Sequence, residues 1–307
     1  MTSAAILAHF DPDGQAAPYV LRLLDQLAGC FDEVVVASTA RLTEDARAQL
    51  AQRSTLIERD NLGQDFGGWQ EVLRDHVRVD RLERLLLTND TYVGMLRPLG
   101  SMIDEMNQRP LEYWGVTENL QIAPHIQSFF VMANEPLLRS RIWAKFWSEF
   151  TVHAHRKDVI VQQEVGMSRA FHEAGFDGAP YFQPTADDLA LAAERETWRR
   201  GRLAELNPDE EAPTAYQTNY TYALADAALQ DGRLPLVKIE VLRYDPCFLG
   251  DGVLLKLCEE RLGDAFDGVR DYLARTAPAY PPRPGENPGG AHLPDELESR
   301  LGYRNRL

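Results

Sequence analysis

Asp60-Asn61-Leu62-Gly63-Gln64-Asp65-Phe66-Gly67-Gly68-Trp69, followed by Leu85-Leu86-Leu87-Thr88-Asn89-Asp90-Thr91, sets two polar loops directly after two apolar runs. An apolar run that ends abruptly in glycine, amide and carboxylate reads as a buried strand opening into a ligand loop. Open α/β sheets bind ligands there, beyond the carboxyl ends of their strands. Outward from this core, Ala4 to Ala8, Val34 to Ala37, Thr55 to Ile57 and Leu85 to Leu87 read as buried strands. Helical spacing connects them: Pro18 to Leu27, a helix capped by Thr43 before Glu44 and Asp45, and Gly67 to Val77. This alternation predicts an α/β fold with a Rossmann-like, mostly parallel sheet flanked by helices.

The middle third predicts a helix over Met102 to Asn107 and strands over Tyr113 to Val116 and Ser128 to Met132. An aromatic-rich helix follows around Trp143, Phe146, Trp147 and Phe150, then a helix from Asp158 to Ala174 stopped by Gly175. Further on, Leu189 to Leu206 and Thr221 to Gln230 read as helices, 207–214 as a loop, and Leu236 to Leu242 as a strand. Prolines and glycines crowd from Ala277 onward, which marks a Pro/Gly-rich tail over 276–307. The expected organisation is one unit over 1–275, with halves 1–110 and 111–275.

Composition excludes several classes. With 307 residues, 44% of them apolar, the chain can bury a large core. Its 32 basic and 47 acidic side chains leave a net charge of −15, which repels nucleic acid, so no nucleic-acid partner is expected. Cys30, Cys247 and Cys258 form neither a C-x-x-C pair nor a disulfide framework, and the reading is a reducing compartment. No basic leader and no apolar run near the roughly 18 residues of a spanning helix are seen, so a cytoplasmic location with at most peripheral membrane contact is expected. Walker A, G-x-G-x-x-G, G-x-S-x-G and H-E-x-x-H motifs are missing, which argues against ATPase, dehydrogenase, esterase and zincin chemistry.

The polar residues at strand ends carry what chemistry remains. Asn89 and Asp90 present oxygens suited to a hard cation that shares its shell with phosphates, or else they form an Asx turn. Gly63, Gly67 and Gly68 allow close backbone approach to a ligand while Asn61 and Asp65 bond hydroxyls; a tight strand-to-helix connection is the alternative. His9-Phe10-Asp11-Pro12-Asp13-Gly14 is a turn sequence that also places His9 or Asp11 near a base or ribose. His153 and His155 lack a third ligand at useful spacing and read as solvated loop residues. His125, Gln127 and Ser128 precede a strand and serve equally as caps or ligand contacts. Glu164 falls early in an amphipathic helix, as a general base or as an acid favoured by the helix dipole. Trp143, Phe146 and Trp147 either stack on acceptor sugars or pack in the core.

A-H-F-D-P-D-G-Q, D-N-L-G-Q-D-F-G-G-W, L-L-L-T-N-D-T, Y-W-G-V-T, H-I-Q-S-F-F, Q-E-V-G-M-S and L-V-K-I-E-V-L-R-Y-D-P occur in that order from Ala8 to Pro246. In these pieces the chain resembles the rhamnan synthesis F family of bacterial polysaccharide glycosyltransferases. The resemblance implies a GT-A-like fold with a nucleotide-sugar half and a smaller acceptor half. It also implies an inverting transfer of a deoxyhexose, most often rhamnose from dTDP-rhamnose, to a lipid-linked or polysaccharide acceptor. A divalent cation, Mg²⁺ or Mn²⁺, is implied at the D-x-D position, which falls on Thr88-Asn89-Asp90, where only Asp90 is acidic. The catalytic base falls on Glu164. Donor contacts are implied for His9, Asp11, Ser38, Asn61, Gly63, Asp65, Gly67, Gly68, Asn89 and Asp90, and acceptor contacts for Trp114, Thr117, His125, Gln127 and Ser128. Two other readings stay open: a non-catalytic sugar- or nucleotide-binding module, and a metal-dependent hydrolase built on His9, Asp11 and Asp13.

Overall fold

The computed structural model describes residues 2–206, 219–247, 249 and 251–281. The expected loop over 207–214 and most of the expected tail, 282–307, lie outside these residues. The strands are β1 Ser3–His9, β2 Glu33–Ser38, β3 Thr55–Glu58, β4 Arg84–Asn89, β5 Tyr92–Gly94, β6 Tyr113–Gly115, β7 Glu118–Asn119, β8 His125–Ile126, β9 Phe130–Asn134, β10 Gly178–Pro180 and β11 Leu236–Lys238. Seven of them form one sheet in the order β10-β6-β9-β4-β1-β2-β3, and β9 alone runs antiparallel to its neighbours.

Strand β1 explains why the sheet is buried on both faces. All seven of its residues are buried, and alternate side chains enter different cores. Ala5 and Leu7 join a cluster with Val34, Val36 and Leu86, while Ala4, Ile6 and Ala8 join one with Val35, Ala37, Leu85 and Leu87. The period of two along a strand divides the apolar run between the layers of helices. Strands β2 and β3 lie on one side of β1 and β4 on the other, so the crevice between β1 and β4 is the topological switch point.

The four expected strands of the first third are all present, as is the cap on the second helix, where Thr43 Oγ1 accepts the Ala46 N–H at 3.2 Å. Elsewhere boundaries moved. The third helix starts at Gln64 because Gly63, at φ +76°, already turns the chain. The expected strand from Ser128 begins at Phe130, and Ser128 is left to the loop before it. The helix expected from Asp158 opens with a π-helical turn over Val159–Glu164 before regular helix over Val165–Glu173. The run Leu236 to Leu242 stays extended only to Lys238, then coils as a helix over Ile239–Tyr244. Its apolar residues suit either state, and a short run does not tell them apart. Trp143 and Trp147 are buried against Phe66 and Phe171, so this helix face packs in the core rather than offering an acceptor platform. Among the described residues no helix is long and apolar enough to cross a membrane.

Candidate active site at the carboxyl edge of the sheet

At the switch point the loops after β1 and β4 are tied together. The Asp90 N–H donates to the Ala8 carbonyl at 3.2 Å, and the Phe10 N–H donates to Asp90 Oδ2 at 2.8 Å. Tyr19 donates its hydroxyl to the Asp90 carbonyl at 2.9 Å. Burial, together with the negative charges of Asp65 and Asp11, pushes the Asp90 carboxyl up to about 8 despite the Phe10 N–H. It is a carboxylate that a nearby positive charge would readily ionise.

Asn89 is the hinge of this edge. Its amide Nδ2 donates to Asp65 Oδ2 at 2.6 Å, and its Oδ1 accepts the Thr91 hydroxyl at 2.7 Å and the Thr91 N–H at 3.2 Å. The Asx-turn geometry and the link to Asp65 are therefore both realised. Burial raises the Asp65 carboxyl and Glu164 raises it further, against the Asn89 hydrogen bond and the Lys238 charge.

Glu164 arrives from the second half because β9 is antiparallel. Its first residues lie where the parallel strands end, with Thr88 paired to Phe130 and the Thr88 hydroxyl donating to the Phe129 carbonyl at 2.8 Å. Ser128 just before it donates both its N–H, at 2.7 Å, and its hydroxyl, at 3.0 Å, to Glu164 Oε1. Oε2 has no hydrogen-bond partner among the described residues. The π-helical turn ends at Glu164, and such turns are frequent at functional sites because they re-aim a side chain.

Other expected contacts sit differently. His9 Nδ1 and Ser38 Oγ are 3.0 Å apart, and both residues are buried, joining β1 to β2. Loss of hydration lowers the His9 ring to about 4, against the pull of Asp11, so it is neutral near pH 7. Asp11 has both carboxylate oxygens engaged by Arg275, at 3.0 and 2.6 Å, and accepts the Asp13 and Gln15 N–H groups as well. Arg275 also pairs with Asp13 at 2.5 Å. These bonds occupy the donor set of the hydrolase reading, and among the described residues no three His, Cys, Asp or Glu gather to hold a metal.

Gly67 is explained by the protein's own backbone: a Cβ there would lie 1.9 Å from the Leu62 carbonyl oxygen. A Cβ at Gly68 would lie 3.4 Å from the Ala37 Cβ, an ordinary contact. Gly67 thus lets the loop close on the helix, whereas Asn61 is exposed. Trp114 is wholly buried against Phe130, 5.3 Å between rings, so its indole has no face open to an acceptor. The Thr117 hydroxyl donates to Gln127 Oε1 at 2.7 Å, and the Thr221 hydroxyl lies 3.4 Å from the same oxygen, which makes a buried polar knot. His125 Nδ1 meets the Ala123 carbonyl at 2.7 Å, while its Nε2 is buried with no partner among the described residues. Of the five acceptor-side residues, Ser128 is the one that the structure joins to Glu164.

Five further residues lie at this edge that the sequence did not single out. Lys238 Nζ donates to Thr91 Oγ1 at 2.6 Å and lies 4.2 Å from the Phe129 ring centroid. Arg156 bonds Glu240 at 3.2 Å, and Glu240 accepts the Tyr222 hydroxyl at 2.5 Å. Burial raises the Glu240 carboxyl, but Arg156, Tyr222 and Lys238 outweigh it and hold the group at about 2. Arg59 lines an open cleft with Ala40, Arg41, Glu58 and Asp60 beside the ends of β2 and β3. It holds Glu71 and the Leu62 carbonyl while its Nη1 is buried with no partner among the described residues. Lys238 and Glu240 do fall in the quoted L-V-K-I-E piece, and two charges inside an apolar run were the signal available.

Comparison with known proteins adds a family. The model of the family described as Rhamnan synthesis protein F matches residues 34–198, just over half of the 307-residue chain. The chain is 26% identical over 186 residues to the uncharacterized protein y4gN of Sinorhizobium fredii, covering 59% of this chain and 48% of that protein. It is 29% identical over 127 residues to the virulence protein VirA of Vibrio anguillarum, covering 39% of each. The chain thus spans about half or less of the length of these relatives. A solved structure titled as that of a mycobacterial protein aligns at a TM-score of 0.37 and 11% identity, over 69% of this chain and 76% of that one.

Proposed function

Because the chain belongs to the rhamnan synthesis protein F family, we propose that it is a glycosyltransferase of polysaccharide synthesis. In this reading it moves rhamnose or a related deoxyhexose from a nucleotide sugar such as dTDP-rhamnose to a hydroxyl of the growing polymer. The carrying observation is the meeting of Asp65, Asn89, Asp90 and the Ser128–Glu164 pair at one sheet edge. Strand order β3-β2-β1-β4 with antiparallel β9 beyond it supports the GT-A-like, Rossmann-type reading. The enzyme works in the cytoplasm, at most peripherally on the membrane that carries its acceptor.

The acceptor hydroxyl approaches the anomeric carbon from the face opposite the diphosphate, and Glu164 Oε2 takes its proton. The new glycosidic bond forms as the nucleoside diphosphate departs with the electron pair of the old one, inverting the centre. Ser128 fixes Oε1 and so aims the base.

A divalent cation, Mg²⁺ or Mn²⁺, fits this edge in one respect: Asp90 carries a carboxyl whose ionisation a cation would favour. Asp90 would hold it, with phosphate oxygens and water completing the shell, and the ion would neutralise charge on the diphosphate.

Incubation with dTDP-rhamnose and a rhamnose-terminated oligosaccharide tests the activity, with the product's anomeric configuration read by NMR. Retention of configuration would remove Glu164 as base in a single displacement. A thermal-shift panel of dTDP-, UDP- and GDP-sugars names the donor, since a ligand that binds only the folded state raises its melting temperature.

A further inference from the structure

Lys238 is 8% exposed, yet among the described residues it forms no ion pair and one hydrogen bond, to Thr91. Lysines are rarely buried without a counterion, because desolvating an ammonium is costly unless a negative partner repays it. An ammonium has three N–H donors, and here one is used. The Phe129 ring covers one side of Nζ.

The guanidinium groups of the neighbourhood each have a carboxylate partner already. Arg156 bonds Glu240, Arg275 is held by Asp11 and Asp13, and Arg59 by Glu71. Lys238 is placed by β11, which pairs antiparallel with β5 so that Lys238 faces Tyr92 in register and the Ile239 N–H reaches the Thr91 carbonyl. The hydrogen bonds then run in one direction, from Lys238 to Thr91 to Asn89 to Asp65. The site thus holds an ammonium beside the residue that follows Asp90, in the field of Glu240, Glu164 and Asp65.

We propose that Lys238 is a direct ligand of the donor's diphosphate, a cation built into the site that holds the leaving group whether or not a metal ion is present. The assignment rests on the glycosyltransferase reading for the identity of the ligand. The diphosphate supplies the direct ion pair that none of these carboxylates makes among the described residues, and the amide at Asn89, where a second carboxylate would draw Thr91 and Lys238 inward, leaves the ammonium's remaining donors to it.

Calorimetric titration with inorganic diphosphate in EDTA tests this without any transfer assay. Wild-type protein should bind, Lys238→Met should bind about tenfold or more weakly, and Lys238→Arg should recover part of the loss. Arg78→Gln, which removes one exposed positive charge, should bind like wild type. Wild-type protein that binds no diphosphate in EDTA, or Lys238→Met that binds it equally well, overturns the proposal. Neither result depends on whether rhamnose is transferred, and failure of transfer with intact diphosphate binding indicts the functional reading instead. Should Lys238→Met not fold, lysine-Cε NMR on wild-type protein decides, because the chain has four lysines, Lys145, Lys157, Lys238 and Lys256. The Lys238 resonance must shift on addition of diphosphate in EDTA; an unmoved resonance overturns the proposal.

Discussion

Residues 3–94 bring Phe10, Asp65, Asn89 and Asp90 to the sheet edge by strand order, Asn89 as the last residue of a parallel strand and the others in the segments that follow one. The remainder of the chain reaches the same edge by long-range closure. Ser128 meets Glu164 across 36 residues, Lys238 meets Thr91 across 147, and Arg275 meets Asp11 across 264. The first region supplies a repeated geometry, loops at carboxyl ends beside a switch point. The second supplies the groups whose charge and aim matter, each held by one to three bonds. Disturbing Glu164 in the second region should therefore change the chemistry, whereas disturbing Arg275 in the second region or Asp90 in the first should show in stability and its pH dependence.

The largest effect is expected for Glu164→Gln, which should lower turnover about 10²–10⁴-fold while donor affinity stays near wild type. Near-normal turnover in this variant would return the second region to a purely structural part. Next is Arg275→Met, which leaves Asp11 buried without its cation. Urea unfolding should show a loss of about 2–3 kcal/mol, below the roughly 3–5 kcal/mol of a fully buried pair because Arg275 keeps partial exposure. Burial raises the Asp11 carboxyl, but Arg275 and the Gln15 and Asp13 N–H groups lower it more, to a net value below the ordinary one. The folded form then binds fewer protons than the unfolded one, so this stabilisation is present above the unfolded pKa near 4 and disappears as pH falls below it.

Asp90 carries the opposite sign. Its carboxyl is raised to about 8, so the folded protein holds a proton that the unfolded chain has released between about 4 and 8, and stability from this group falls as pH rises through that window. Asp90→Asn should accordingly raise the melting temperature at pH 8.5, by roughly 3 °C, and change it little at pH 4. A melting temperature unchanged at both pH values would show Asp90 to be ionised at no cost. The smallest effect is expected in the first region: Thr43→Ala removes the cap on Ala46, for about 0.5–1 kcal/mol of stability and no change in transfer.

Where apolar runs were bounded by turn residues, as in β1, β2 and β4, the strands lie within two residues of the expected bounds, because a strand buried on both faces needs nothing but aliphatic side chains. The run 236–242 failed on the same logic, since its apolar residues satisfy a strand and a helix alike and tertiary pairing with β5 settled the break at Lys238. Gly67 was visible as unusual, yet its reason, the Leu62 carbonyl 1.9 Å from an added Cβ, lies in a fold-back that spacing does not reveal. Glu164 stood out through the resemblance of Q-E-V-G-M-S, whereas its clamp by Ser128 follows from the reversed direction of β9.

Composition and periodicity by themselves determined the layered α/β build, the capped helices and the positions where polar loops must interrupt apolar strands, since those depend on local sterics and on which side chains water rejects. Only the tertiary structure decided that Asp11 is answered by Arg275, that Ser38 closes on His9, and that Lys238 stands buried beside Thr91 with no ion pair among the described residues. Those outcomes depend on distance and direction between segments far apart in the chain, and charge in a low-dielectric edge acts through separation in space, which residue spacing does not encode.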